Sequence, residues 1–330
     1  MSPVAGLPWD WHPNPLPAKV TQDVVTAWVT AFGPRLKFHR DERHFPSTAH
    51  RFRVVSRFRD SRQGARDNGW NRESRAWVRG NHRHPEYFDA PPDHLVEQTA
   101  LRTGAGIEVE PGTRFVLRPW DSRRIGPRKE GLFLERDDRI QRVSSGHVPV
   151  GGTVKAPMYL DAVMVQESSV GPYVKVLCWF FYELNLWHGL LTHEGDWEHV
   201  SYIVRLAALE AGDPPTHVYF AQHNTGEVRR FDSLGFVPGT THPVMYVDRH
   251  GHPTKPAVGD AREYTSLWDT WGEVRWLRNE AWKEYSGAWG EVGETVHTTG
   301  PLGPWFKQGR DLVRVRRRPD GSVQVRRPRR

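Results

Sequence analysis

The chain has 330 residues, 37% hydrophobic and 12% aromatic with 15 Trp, which is enough to bury a core and excludes wholesale disorder. One cysteine, Cys178, excludes an internal disulfide, and no apolar run approaches the ~18 residues of a membrane-spanning helix. The net charge of +7 belongs to one end: Lys307 to Arg330 carries ten Lys or Arg against two Asp, leaving 36 basic against 37 acidic residues elsewhere, so nucleic acid is a partner only through this tail.

Met1 to Pro17 is rich in Pro and Trp and lacks the charged start and apolar centre of a signal peptide. The expectation is a cytoplasmic protein, or one exported without a cleaved signal. Thr21 is placed to cap a helix over Gln22 to Phe32, with Val24, Val25, Trp28 and Ala31 on one side and Gly33-Pro34 as the stop. Leu36 to Phe38 reads as a strand. Asp41-Glu42-Arg43-His44 reads as a surface loop in preference to one that brings Asp41 and Glu42 to the central site, and Ser47 as the cap of a second helix over Thr48 to Arg57. Ser61 to Pro92 is a long polar insertion, whose Trp70, Trp77, Tyr87 and Phe88 read as anchors to the body. Gly106 to Arg118 alternates like a strand pair, and Leu132 to Leu134 adds another strand. Gly104-Ala105-Gly106 lacks the Lys and the helix start of a phosphate-binding loop.

From Met158 the strands become dense: Leu160 to Gln166, Val174 to Tyr182, Trp197 to Leu206, His217 to His223 and Val244 to Asp248. Tyr264 to Gly290 reads as helical, with Leu267, Trp268, Trp271, Val274 and Leu277 at helix-like spacing. Leu312 to Arg316 and Val323 to Val325 flank the turn signal Pro319-Asp320-Gly321-Ser322 and predict a basic hairpin. The expected fold is mainly β with some helix: an antiparallel β-sandwich core with long loops and peripheral helices. Residues 1–150 form an N-terminal region packed on the core, 151–306 the sandwich itself, and 307–330 the basic hairpin or tail.

One stretch organises the rest: Thr192-His193-Glu194-Gly195-Asp196-Trp197-Glu198-His199-Val200-Ser201. Residues two apart in a strand share a face, so Asp196 and Glu198 continue the apolar face of Val200, Tyr202 and Val204. Two carboxylates at the mouth of an apolar face repel and are desolvated, so they need a cation, a proton or water. Gly195 frees the backbone just before the strand and lets His193 fold back toward them. His193, Asp196 and Glu198 then form a metal-type site, whose oxygen-rich ligands favour Mg²⁺, Ca²⁺ or Mn²⁺ and whose imidazole also admits Zn²⁺. The zinc-protease helix motif fails, because its second His would fall on Trp197. Histidines recur at strand ends; His223 and His252 each follow a strand that can neighbour the central one, and are the candidates to support the site's carboxylates or to act as acid/base. His199 should face away from Glu198.

The segment Trp179-Phe180-Phe181-Tyr182, Asn185 and His193 to Val200 resembles the vacuolar protein sorting-associated protein sixty-two family. Phe32 to Leu36, Asp41 to Ser47, His242 to Val247, Gly287 to Gly290 and Gly300 to Pro304 are similar to the same family, while His250-Gly251-His252 replaces its usual Gly-Ser-His. That family name reflects a trafficking phenotype and implies no biochemical activity. The core His193-x-x-Asp196-Trp197-Glu198 is also similar to the heptapeptide of the necrosis- and ethylene-inducing peptide-like cytolysins. That resemblance implies a divalent metal on a β-sandwich that engages sphingolipid headgroups, with Asn185 near the position of a further Asp ligand.

Three functions follow. The first is a divalent-metal-bearing β-sandwich that recognises an anionic lipid headgroup, a glycan or a membrane surface. The second is a metal-dependent hydrolase of a phosphoester, ester or glycan, using a metal-activated water with His223 or His252 as acid/base. The third is a non-catalytic interaction protein whose polar cluster is structural.

Overall fold

The computed structural model describes residues 16–60, 70–71, 76–77, 107–110, 113–115, 132–135, 145–167, 171–187, 191–222, 225–280, 282, 289–290, 300–301, 303–304, 315–317 and 323–326. Thr21 accepts a hydrogen bond from the Val24 amide at 3.3 Å and starts α1 (Gln22–Phe32), as its sequence predicts. Val25, Trp28, Val29 and Phe32 form its buried face. β1 (Arg35–His39) follows. The second helix, α2 (Ala49–Val55), is capped by Thr48, whose hydroxyl accepts from the Arg51 amide at 2.9 Å, and not by Ser47. Ser47 is drawn away by a stronger acceptor: it donates to the buried Glu183 carboxylate at 2.5 Å.

Three short antiparallel pairs come next along the chain. They join β2 (Arg57–Asp60) to β7 (Leu132–Glu135), β3 (Trp70–Asn71) to β4 (Ala76–Trp77), and β5 (Ile107–Glu110) to β6 (Thr113–Phe115). A meander then runs through β8 (Met158–Glu167), β9 (Gly171–Trp187), β10 (Leu191–Arg205), β11 (His217–Gln222) and β12 (Thr225–Arg230). α3 (Leu206–Ala211) interrupts it between β10 and β11 and ends on Gly212 at φ +74. The later strands are β13 (Val244–Val247), β14 (Thr254–Lys255), β15 (Tyr264–Asp269), β16 (Val274–Trp276), β17 (Val315–Arg317) and β18 (Val323–Arg326).

These strands build two sheets, ordered β16-β8-β9-β10-β11-β12-β18-β17 and β14-β13-β1-β15. Pairing is antiparallel except for β16 on β8 and β1 on β13. Val174, Val176, Cys178, Phe180 and Tyr182 of β9 and Val200, Tyr202 and Val204 of β10 face the smaller sheet and α1. They pack with Leu36, Phe38, Met245, Val247 and Trp268, so the main core lies between the sheets as in a sandwich. The opposite face of the large sheet carries a second cluster, including Leu177, Trp179, Phe181 and Trp197, covered by Phe52, Leu277, Trp282 and Trp289. The period of two along β9 thus feeds both cores, which is why its apolar run is continuous.

The helices expected in Tyr264 to Gly290 are absent among the described residues of that stretch, which form β15 and β16 joined by short 3₁₀ turns. Pairing with β1 and burial of Trp268 in the main core override the helix-like spacing. The C-terminal hairpin is present as β17 paired with β18, and β18 extends the large sheet beyond β12.

Candidate functional site

The central stretch lies inside β10, which begins at Leu191 and not after Gly195. The β9–β10 register sets His193 opposite Asn185, Asp196 opposite Tyr182, and Glu198 opposite Phe180. Asp196 and Glu198 therefore share the face of Val200 and Tyr202, as alternation requires. Trp197 enters the second core, and His199 lies against Trp179 on that opposite face, ring centroids 4.1 Å apart. Gly195 holds φ +61 inside the strand, and a Cβ there would lie 1.8 Å from the Trp289 carbonyl oxygen. Gly290 answers it: a Cβ there would meet the Glu194 carbonyl oxygen at 2.0 Å. Two backbones cross where only glycine fits.

Two segments distant in sequence close on Asp196. The loop after β13 turns through His250 and His252, at φ +67 and +60, and brings the His252 ring under Tyr182. These rings stack at 3.9 Å with an interplanar angle of 2°. His252 Nδ1 donates to Asp196 Oδ2 at 3.1 Å, and its Nε2 faces Glu42 Oε1 at 3.9 Å. Glu42 comes from the loop after β1, which the sequence suggested would lie at the surface. Its Oε1 accepts from the Arg43 and His44 amides at 2.8 and 2.9 Å, and its Oε2 from the His250 amide at 2.8 Å. Relative exposures are 6% for Glu42, 4% for Asp196 and 0% for His252, so the three charges lie out of water.

Their electrostatics are mutually set. Burial pushes the Glu42 carboxyl up, but His252 and the backbone amides outweigh it and hold it at about 2. Burial pushes the His252 ring down, but the bond to Asp196 and the facing Glu42 carboxylate raise it to about 9. His252 is therefore an imidazolium at neutral pH. His44 moves the other way, to about 4, through burial and the neighbouring His252 charge; its Nδ1 lies 2.9 Å from the Ser145 hydroxyl. Burial, then the charges of Asp196, Glu198 and Glu42, push the Tyr182 hydroxyl well above its ordinary value.

Residues 180–263 match the family model of vacuolar protein sorting-associated protein 62. The matched segment runs from β9 through the η-turn before β15 and contains Asn185, His193, Asp196, Glu198 and His252, but not Glu42. No curated protein and no solved structure matches the chain. The match supports the resemblance carried by His193 to Val200 and by His242 to Val247.

Within the matched segment the candidate residues divide. Asn185 donates to Asp196 Oδ2 at 3.1 Å and to the Gly251 carbonyl at 3.3 Å. Glu198 is buried on the Asp196 face. His193 does fold back, but its Nδ1 donates to the Gly195 carbonyl at 2.8 Å. His252 is fully buried and bonded to Asp196. His223 lies outside the described residues. Among the described residues no group of three or more His, Cys, Asp or Glu is arranged to hold a metal ion. Asp196 Oδ2 already accepts from Asn185 and His252, and Glu42 from three amides. The His252 imidazolium thus lies between the Asp196 and Glu42 carboxylates, a cation supplied by the chain itself. Reasoning from sequence ranked approach of Glu42 to the central site below a place in a surface loop. The signal was there in Asp41-Glu42-Arg43-His44, where an acid preceding its own backbone donors can cap a loop.

Proposed function

We propose that the chain is a non-catalytic interaction protein in which the Glu42–His252–Asp196 triad is a structural clasp. The observation that carries this is the burial of all three side chains, at 0–6% exposure, with both carboxylates already bonded within the chain. A clasp of this kind fixes the loops after β1 and β13 on the β9–β10 hairpin and so presets the surface around them. The name of the matched family speaks of vacuolar protein sorting and by itself favours neither binding nor turnover. Polar headgroups, glycans and protein surfaces are the ligand classes that accord with the sequence.

A second reading keeps the divalent ion. The buried Nε2 of His252 has no hydrogen-bond partner among the described residues and faces Glu42, while its Nδ1 is held by Asp196. An imidazole oriented by a carboxylate and facing a second one can ligate a metal if the ring is neutral. Elemental analysis of the purified chain and its Asp196→Ala variant, with thermal unfolding in and out of chelator, tests both. The clasp predicts no stoichiometric metal and no change of Tm with chelator. About one equivalent of metal, lost in a folded Asp196→Ala variant, would establish the second reading and refute the first.

A further inference from the structure

The large sheet ends in β12, β18 and β17, in that order. These three strands carry Arg229, Arg230, Arg316, Arg317 and Arg326 against one acid, Glu227. That acid pairs with Arg229, and Arg230 pairs with Asp232 just past the strand. Register sets Arg316 opposite Gln324, and Gln324 opposite Glu227. Alternation then puts positions 316, 324 and 326 on one face of the sheet and 317 on the other. Among the described residues no strand pairs with the outer side of β17. A second copy added there would set arginine against arginine, so the charge keeps this edge from pairing with itself.

Pairing within the chain cannot neutralise this end. Lys307 to Arg330 holds ten Lys or Arg against two Asp, while the rest of the chain has only one acid more than it has Lys and Arg. An arginine here that takes a carboxylate from elsewhere leaves another cation without one, so the net +7 stays whatever the ion pairs are. Concentrated like charge attracts a polyanion, whose condensed counterions are released on binding. Nine of the ten cations are Arg, whose planar fork fits two phosphate oxygens at once. The segment has no Trp, Tyr or Phe and one Leu, Leu312, so it lacks the anchors that seat a protein in a lipid interface. It equally lacks rings on which unpaired bases would stack. A duplex, with its higher density of phosphates, is the polyanion that suits arginines without anchors or stacking platforms.

We infer that the β12–β18–β17 end of the large sheet binds double-helical nucleic acid through its phosphates, without selecting a sequence, with Arg316, Arg317 and Arg326 among the contacts. This partner goes beyond the clasp and does not depend on it. Fluorescence anisotropy of the full chain with a labelled DNA duplex of about 20 base pairs, between about 50 and 200 mM salt, tests it. Affinity should fall steeply with salt, should be the same for duplexes of unrelated sequence, and should exceed that for a single strand of equal length. Arg316→Gln, Arg317→Gln and Arg326→Gln together should weaken binding at least tenfold at the lowest salt and reduce the salt slope by about 2–3. Lysine at the same three positions keeps the charge and should bind within about threefold of the wild type. Near-UV circular dichroism checks each fold, and if the triple Gln variant is unfolded, Arg317→Gln alone decides, with a slope lower by about 1. No duplex binding at the lowest salt would overturn the inference. So would binding unchanged in a folded Gln variant, or tighter binding of the single strand. Capture by vesicles containing phosphatidylserine, with no binding of the duplex, would overturn it in favour of a membrane.

Discussion

A buried ion triad is held by all of its members, so losing one leaves the others uncompensated. Asp196→Ala strips His252 of its Nδ1 acceptor and Asn185 of a bond, and should lower the unfolding free energy by about 3–5 kcal/mol in urea titration. Titration gives the triad a signature in pH. The folded His252 value, about 9, lies above its ordinary 6.5, so its contribution is complete below 6.5 and is lost as pH rises from 6.5 through 9. The folded Glu42 value, about 2, lies below 4.5, so its contribution is complete above 4.5 and is lost as pH falls from 4.5 toward 2. His44 is depressed to about 4, so it adds stability at neutral pH that is lost between 6.5 and 4. Stability measured against pH should therefore fall between 6.5 and 9 in the wild type, and this alkaline limb should be missing in His252→Gln. At this scale the sequence disclosed that Asp196 and Glu198 share a face and need a compensating charge, a proton or water, because strand alternation is local. It could not disclose that the charge is His252, which is 56 positions away in sequence and is brought in by a turn through two positive φ angles.

Single elements were legible where a local device defines them. Thr21 and Gly33-Pro34 bound α1 on the residues expected, and Thr21→Ala should cost about 1 kcal/mol, read from the shift in thermal midpoint. The β9–β10 hairpin was expected as two shorter strands with His193 to Gly195 outside them. Gly195 looked like a break before a strand; it is a kink inside one, made necessary by the Trp289–Gly290 backbone crossing it. Gly195→Ala should cost more than the ~1–2 kcal/mol of a left-handed alanine, because its Cβ would also collide with the Trp289 carbonyl. A loss of soluble folded protein or a large drop in Tm is the expected readout; an unchanged Tm would mean that the two backbones do not cross. Ser47 and Thr48 were indistinguishable as caps in sequence, since the choice depends on Glu183 arriving from β9. The stretch from Tyr264 misled for the same reason: pairing with β1 is invisible along the chain.

For the whole molecule, the clasp joins the two sheets. β1 and β13 belong to the smaller sheet, and the loops that follow them deliver Glu42 and His252 to Asp196 on the larger one. No helix among the described residues is long and apolar enough to cross a membrane. The sandwich itself was legible from strand density and continuous apolar runs, whereas the closure of its end was not, because it depends on contacts between residues up to 210 positions apart. The most direct test of the account is ¹⁵N NMR of the His252 imidazole at pH 7.5 in the full chain, assigned by loss of its signals in His252→Gln. The account predicts two protonated ring nitrogens, an imidazolium persisting to about pH 9. A ring with one unprotonated nitrogen at pH 7.5, whether neutral or bound to a metal, would contradict it.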